Sequence, residues 1–191
     1  MSEAQDFWSN VKDWWIDADR NYKKQGVNQP SEDYLDREVK GFDSVLEIGA
    51  GTGRLIGLLS KKKIDCHSVD VSSGLCEYVK AKYPKVTVHN TKVQDLSEFA
   101  DNSIDLVYTF QCLQHVPNEE IQPALDEIFR VAKKEVWLME GLVQNKEQGE
   151  RTHPVNGGSY VYYYDRMYDC YRIDDIQGGV VMAYRIKASD A

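Results

Sequence analysis

The chain has 191 residues with 23 Lys and Arg against 31 Asp and Glu, a formal net charge of −8, and 42% hydrophobic residues. That length holds one domain with a real core, the negative balance opposes polyanions at long range and disfavours nucleic acid as a partner, and no apolar run reaches membrane-spanning length. The acidic, aromatic start MSEAQDFWSNVKDWW is unlike a secretory leader, and Cys66, Cys76, Cys112 and Cys170 form no CxxC pair, so a cytoplasmic protein with neither zinc site nor disulfide framework is expected.

Phe7, Val11, Trp14, Trp15, Ala18 and Tyr22 recur at helical spacing and predict a helix from about Ala4 to Lys24 with one apolar face. GVNQP breaks it, and Ser31 with acids at 32 and 33 begins a second helix that ends near Gly41. Residues 1–41 thus read as an N-terminal helical cap. Its tryptophans either seal a sheet edge or, with Tyr22, close over a ligand.

VLEIGAGTGRL follows, an apolar run carrying Glu47 and then glycines at 49, 51 and 53. Val45, Leu46 and Ile48 suit a buried strand, and the glycines permit a tight turn whose N–H groups meet a ligand closely. From there strands and helices alternate: strand 44–49, helix 53–62, strand 64–70, helix 73–82, strand 85–89, a short helix within 93–99 and strand 104–109. Asn118 is read as the cap of a helix with Ile121, Leu125, Ile128 and Phe129 inward, and KKEVWLMEGL as a fifth strand. Lys61, Lys62 and Lys63 complement the dipole at a helix C-terminus. Such alternation implies a parallel sheet covered on both faces. QNKEQGERTHPVNGGS then reads as a polar loop, YVYYYDRMYDC as a short helix, and CYRIDDI with VVMAYRIK as a hairpin.

The dinucleotide fingerprint G-x-G-x-x-G needs glycine at 54, where Arg54 stands. Glu47 two residues before alternating glycines instead resembles motif I of the class I S-adenosylmethionine-dependent methyltransferases. Asp70, ending IDCHSVD, matches the family's ribose-binding acid; Asp95 in KVQDLSEF matches its acid on the adenine amino group; SIDLVYTFQCLQHVP resembles motif IV and its extension. The resemblance runs from about Phe42 to Gly141. It implies a Rossmann-like α/β fold, a seven-stranded mostly parallel sheet with a C-terminal antiparallel hairpin and the helical cap, as one domain over 1–191 with a cofactor-binding core at 42–141 and an acceptor side at 142–191. It implies S-adenosyl-L-methionine as cofactor, leaving as S-adenosyl-L-homocysteine, held by Tyr22, Glu47, Gly49, Ala50, Gly51, Gly53, Arg54, Asp70, Val71, Asp95 and Phe110. Glu47 either touches the cofactor or orients the turn, and Asp95 either meets adenine or caps a local turn.

Methyl transfer requires alignment more than a universal catalytic residue. For a hydroxyl or carboxyl acceptor a base helps, and His115 in QCLQHVP is the candidate, the alternative being that it packs or orients the loop. The chain lacks the D/N-P-P-Y/F/W motif of amino methyltransferases and the Pro-Cys nucleophile of cytosine-5 enzymes, leaving Cys112 structural. Tyr160, Tyr162, Tyr163, Tyr164, Tyr168 and Tyr171 line a pocket, an interface or the surface, and Arg151 and His153 either meet an acidic acceptor or are solvated. The leading expectation is an enzyme acting on a small-molecule or glycosyl acceptor at oxygen. Methylation of a peptide or protein at nitrogen or carboxylate, and a non-catalytic cofactor-binding partner subunit, are the alternatives, with oligomeric state open, a homodimer included.

Overall fold

The computed structural model describes residues 6–8, 10, 12–27, 29–141, 160, 162–178 and 181–190. The polar loop over 144–159, with Arg151 and His153, and the expected helix positions Ala4 and Val11 lie outside the described residues. In chain order the elements are α1 Lys12–Lys24, α2 Gln29–Glu38, β1 Ser44–Ile48, α3 Arg54–Leu59, β2 Asp65–Asp70, α4 Ser73–Lys82, β3 Val86–Asn90, β4 Ile104–Phe110, α5 Ile121–Val131, β5 Ala132–Gly141, α6 Tyr164–Met167, β6 Arg172–Asp175 and β7 Val181–Lys187.

The strands form one seven-stranded sheet in the order β3-β2-β1-β4-β5-β7-β6. β1 pairs in parallel with β2, Val45 opposite Cys66, and with β4, Val45 opposite Leu106. β7 runs antiparallel to both β5 and β6. The strand order reverses between β1 and β4, which opens a crevice beyond their carboxyl ends, the usual ligand position in open α/β sheets.

Alternate residues along each strand supply two cores, as a pleat with side-chain period 2 requires. Leu46, Ile48, Val107, Val136 and Leu138 meet Leu125 and Ile128 of α5 on one face. Val45, Leu106, Tyr108, Trp137 and Met139 meet Leu35 of α2 and Ile56 and Leu59 of α3 on the other. Arg185 of β7 clamps α2 to the sheet: it lies 4.1 Å above the Trp137 ring, donates to Tyr34 Oη at 2.9 Å and to Glu38 Oε2 at 2.7 Å.

Three sequence expectations change. The apolar stripe of the first helix is only partly its buried face: Phe7 and Trp15 pack with Ile16 against Leu75 of α4, whereas Trp14 is 60% and Tyr22 43% exposed. The segment 93–99 forms turns rather than a helix, because α5 takes its backbone groups. Glu127 accepts the Leu96 N–H at 2.9 Å, and Arg130 donates to the carbonyls of Leu96 and Phe99, each at 2.9 Å. Finally, α5 begins at Ile121 with Glu120 at its N-cap, and Asn118 lies in the preceding turn.

Candidate active site

β1 delivers the chain into the crevice through a turn in which Gly49 (φ 69°) and Gly51 (φ 54°) adopt left-handed backbone. The N–H groups of Gly49 and Ala50 both donate to the Val69 carbonyl, at 2.8 and 3.1 Å, so the turn is tied to the end of β2. A Cβ at 49 would stand 2.3 Å from Cys112 Sγ, and one at 51 would stand 2.8 Å from Trp15 Nε1. Both positions therefore exclude any side chain on steric as well as conformational grounds. Gly53 faces away from the crevice and packs on Val79 and Tyr83.

Two carboxyls brace this turn, Glu47 buried and Asp70 part-buried. Glu47 Oε2 accepts the Ile56 N–H at 2.9 Å, and burial pushes its pKa up to about 8. Asp70 accepts the Gly51 N–H on Oδ2 at 2.8 Å and the Ser72 N–H on Oδ1 at 2.9 Å. Burial raises the Asp70 pKa while these amides oppose the rise.

The turn opens into a cavity of about 450 Å³. Its wall includes Tyr22, Glu47, Gly49, Ala50, Gly51, Arg54, Asp70, Val71, Phe110 and His115 from the sequence-based set, but neither Gly53 nor Asp95. The Asp95 carboxylate is turned into its own loop, where Oδ1 accepts from Ser97 Oγ at 2.7 Å. Its neighbour Gln94 lines the wall instead. Gln94 Nε2 donates to Glu120 Oε2 at 2.7 Å, which fixes the amide orientation, and its buried Oε1 has no hydrogen-bond partner. Arg54 is pinned between the caps and the core: Asp19 of α1 lies at 3.6 Å, Glu32 of α2 at 3.4 Å, and the Phe110 ring centroid at 5.2 Å.

The far end of the cavity is built where β4 stops. Gln111 takes a left-handed conformation (φ 50°), its N–H donates to the Met139 carbonyl at 2.8 Å, and a 3-10 turn over Leu113–His115 follows. Gln111, Gln114 and His115 line the wall, and the His115 ring stands 4.5 Å from that of Trp8. Buried Glu140, on β5, accepts from Thr109 Oγ1 at 2.6 Å and from the N–H groups of Cys112 and Leu113, each at 3.2 Å, and Gln114 at 3.4 Å. Of the tyrosine cluster, Tyr160 and Tyr162 bond to this turn, while Tyr168 packs on Phe129 and Tyr171 is exposed; none of these lines the cavity. Tyr162 Oη donates to the Val116 carbonyl at 2.9 Å, and Tyr164 packs edge-on against Tyr184.

Sequence reasoning missed Trp8, Gln94, Gln111, Gln114 and Glu140. Gln111 and Gln114 both precede His115 in TFQCLQHV and were visible as polar residues after a buried strand, and Glu140 as an acid inside the apolar run VWLMEGL. Trp8 and Gln94 carried no such local signal.

A family model described as a methyltransferase domain matches residues 45–135, the segment that holds the glycine turn, Asp70 and His115. Residues 45–135 are a methyltransferase domain by this match. Beyond the family match, the chain is 33% identical over 102 residues, 53% of its length and 38% of the relative's, to an uncharacterized methyltransferase-like protein of Schizosaccharomyces pombe. It is 39% identical over 72 residues, 37% of its length and 25% of the relative's, to a malonyl-[acyl-carrier protein] O-methyltransferase of Priestia megaterium. The chain thus spans well under half the length of these curated relatives. The methyltransferase fold extends further than the sequence match: a solved DhpI-SAM-HEP complex superposes with a TM-score of 0.70 at 17% identity, covering 96% of each chain. Among the described residues no helix of this methyltransferase domain is long and apolar enough to cross a membrane.

Proposed function

We propose that this protein is an enzyme that transfers a methyl group from S-adenosyl-L-methionine to a small-molecule or glycosyl acceptor, at oxygen. The observation that carries the reading is one continuous cavity joining the glycine turn and Asp70 at one end to His115 at the other. Its volume, about 450 Å³, lies within the range of about 300–1,000 Å³ usual for small-molecule sites.

The residues fit the cofactor. Gly49, Ala50 and Gly51 line the cavity with backbone, while Cys112 and Trp15 pack where a Cβ at 49 or 51 would stand. Each Asp70 oxygen accepts one backbone N–H, so each retains acceptor capacity for a ribose hydroxyl. Gln94, rather than Asp95, lines the cavity wall and takes the place of the acid expected beside the adenine. Glu47 acts through the turn, holding the start of α3. When bound, the cofactor supplies a methyl carbon on a sulfonium, so the protein's task is to align the attacking atom. Arg54 holds the caps over the site, Trp15 covers Gly51 against water, and His115 takes the proton from the acceptor hydroxyl.

Titration by calorimetry with S-adenosyl-L-methionine and S-adenosyl-L-homocysteine tests the first half of this reading. Micromolar affinity for both is expected, and Asp70→Ala should weaken it by roughly 1.5–3 kcal/mol. Absence of binding to either ligand overturns the reading. A screen of hydroxylated glycosyl and phenolic acceptors tests the second half: His115→Ala should lower turnover much more than cofactor affinity. Binding without turnover on any acceptor class would leave a cofactor-binding partner subunit.

A further inference from the structure

Glu140 is an acid in the stretch Val136–Glu140 of β5, buried on both faces, where an ionised carboxyl costs several kcal/mol unless its oxygens are satisfied. All of its hydrogen-bond partners are donors: Thr109 Oγ1 and the amides of Cys112 and Leu113 reach Oε1, and the Gln114 amide reaches Oε2. The parallel ladder between β4 and β5 ends at Phe110 opposite Met139. Glu140 is the next position on β5, and its side chain takes over from the ladder where the β4 backbone has turned away at Gln111.

We propose that Glu140 is the positioning residue of the acceptor end, its carboxylate gathering three successive amides into the turn that sets His115 against Trp8. The proposal rests on the methyltransferase reading, in which His115 faces the acceptor. One turn reaches both ends of the cavity: Cys112 Sγ occupies the space above Gly49, and His115 meets the cap through Trp8. A shift of this turn therefore alters the room beside the glycine turn and the direction of the imidazole together. Gln114, also on the cavity wall, is carried by the same amides, and its carbonyl accepts the Tyr160 N–H at 2.6 Å. Burial pushes the Glu140 pKa up to about 7 against the pull of these donors, and the all-donor surroundings match its ionised form.

The test needs no acceptor. The chain has four histidines, so the imidazole Hε1 resonances form a small set from which His115 is assigned by its loss in His115→Gln. The Trp8 ring displaces that resonance, and Trp8→Leu removes the displacement. Glu140→Met keeps the volume but offers no oxygen, and should abolish the displacement. Glu140→Gln retains a carbonyl oxygen for the Thr109, Cys112 and Leu113 donors and should restore most of it. An unmoved His115 resonance in folded Glu140→Met, or equal displacement loss in both variants, overturns the proposal. If Glu140→Met does not fold, amide hydrogen exchange in Glu140→Gln decides: exchange at Gln114 should rise relative to Cys112 and Leu113, and an unchanged pattern overturns the proposal. Calorimetry judges the methyltransferase reading separately, because loss of ligand binding in the wild-type protein would leave the His115 displacement and its dependence on Glu140 intact.

Discussion

At the scale of single residues, the space above Gly49 gives a steep prediction. An alanine there meets Cys112 Sγ at 2.3 Å and Cβ at 2.7 Å, in a backbone conformation that L-residues disfavour. Overpacking costs about 1–3 kcal/mol and the left-handed backbone about 1–2 kcal/mol more. Gly49→Ala should therefore lower stability by several kcal/mol in urea unfolding, and Cys112→Gly should recover the steric part but not the conformational part. Additive effects in the double variant would mean that the two residues do not share that space. Gln94 gives a second. Gln94→Leu should weaken S-adenosyl-L-homocysteine binding by about 1 kcal/mol and leave unchanged the binding of an analogue lacking the 6-amino group, whereas Asp95→Ala should affect neither. The two residues also mark how far the sequence could be read. Glu47 was legible because it stands two residues before the glycine turn, and Asp70 because it ends the next strand, which pairs in parallel with β1. That Gln94 rather than Asp95 lines the cavity was not legible, because it depends on Glu127 and Arg130, about thirty residues away, pinning the backbone of Leu96 and Phe99.

At the scale of elements, the alternation of strands and helices and the closing hairpin were legible because buried parallel strands read as continuous apolar runs. The packing of the cap was not, since a helix that covers a crevice carries apolar residues on more than one side: Trp15 meets the glycine turn, Ile16 meets α4, and Trp14 stays exposed. What holds the second cap helix is also a tertiary matter. Arg185, buried in β7, joins Tyr34 and Glu38 of α2 and approaches Asp174 of β6 at 3.3 Å. Removing one member of a buried ionic set costs stability, even though Glu38 keeps Arg37 and Arg172 as partners. Arg185→Met should cost about 3 kcal/mol and loosen α2 ahead of the sheet. Hydrogen exchange that rises uniformly over α2 and β7, with no preference for α2, would contradict this account.

At the scale of the whole molecule, acids in opposite environments set the pH dependence of the ligand-free protein. Arg37, Arg185 and Arg172 overcome partial burial to hold Glu38 down at about 2, from an ordinary value of 4.5. That stabilisation is present above pH 4.5 and is lost as pH falls through 2. Burial has the opposite effect on Glu47 and Glu140, raised from 4.5 to about 8 and about 7. Their folded forms bind the proton more tightly than the unfolded chain does, so their contribution is complete below pH 4.5 and is lost as pH rises through 7 and 8. Thermal stability should therefore peak on the mildly acidic side and fall toward pH 8. Each kcal/mol lost corresponds to about 2–4 °C of Tm for a chain of this size. The net charge of −8 at pH 7 pushes in the same direction by self-repulsion, and salt separates the two causes. Repulsion between surface charges is largely screened at about 0.5 M ionic strength, whereas the cost of ionising a buried carboxyl is not. The fall in Tm from pH 5.5 to 8 should thus persist in about 0.5 M salt, and Glu47→Gln should reduce it. A fall that disappears in salt, or that Glu47→Gln leaves unaltered, would assign the pH dependence to the surface instead of to the carboxyl beneath the glycine turn.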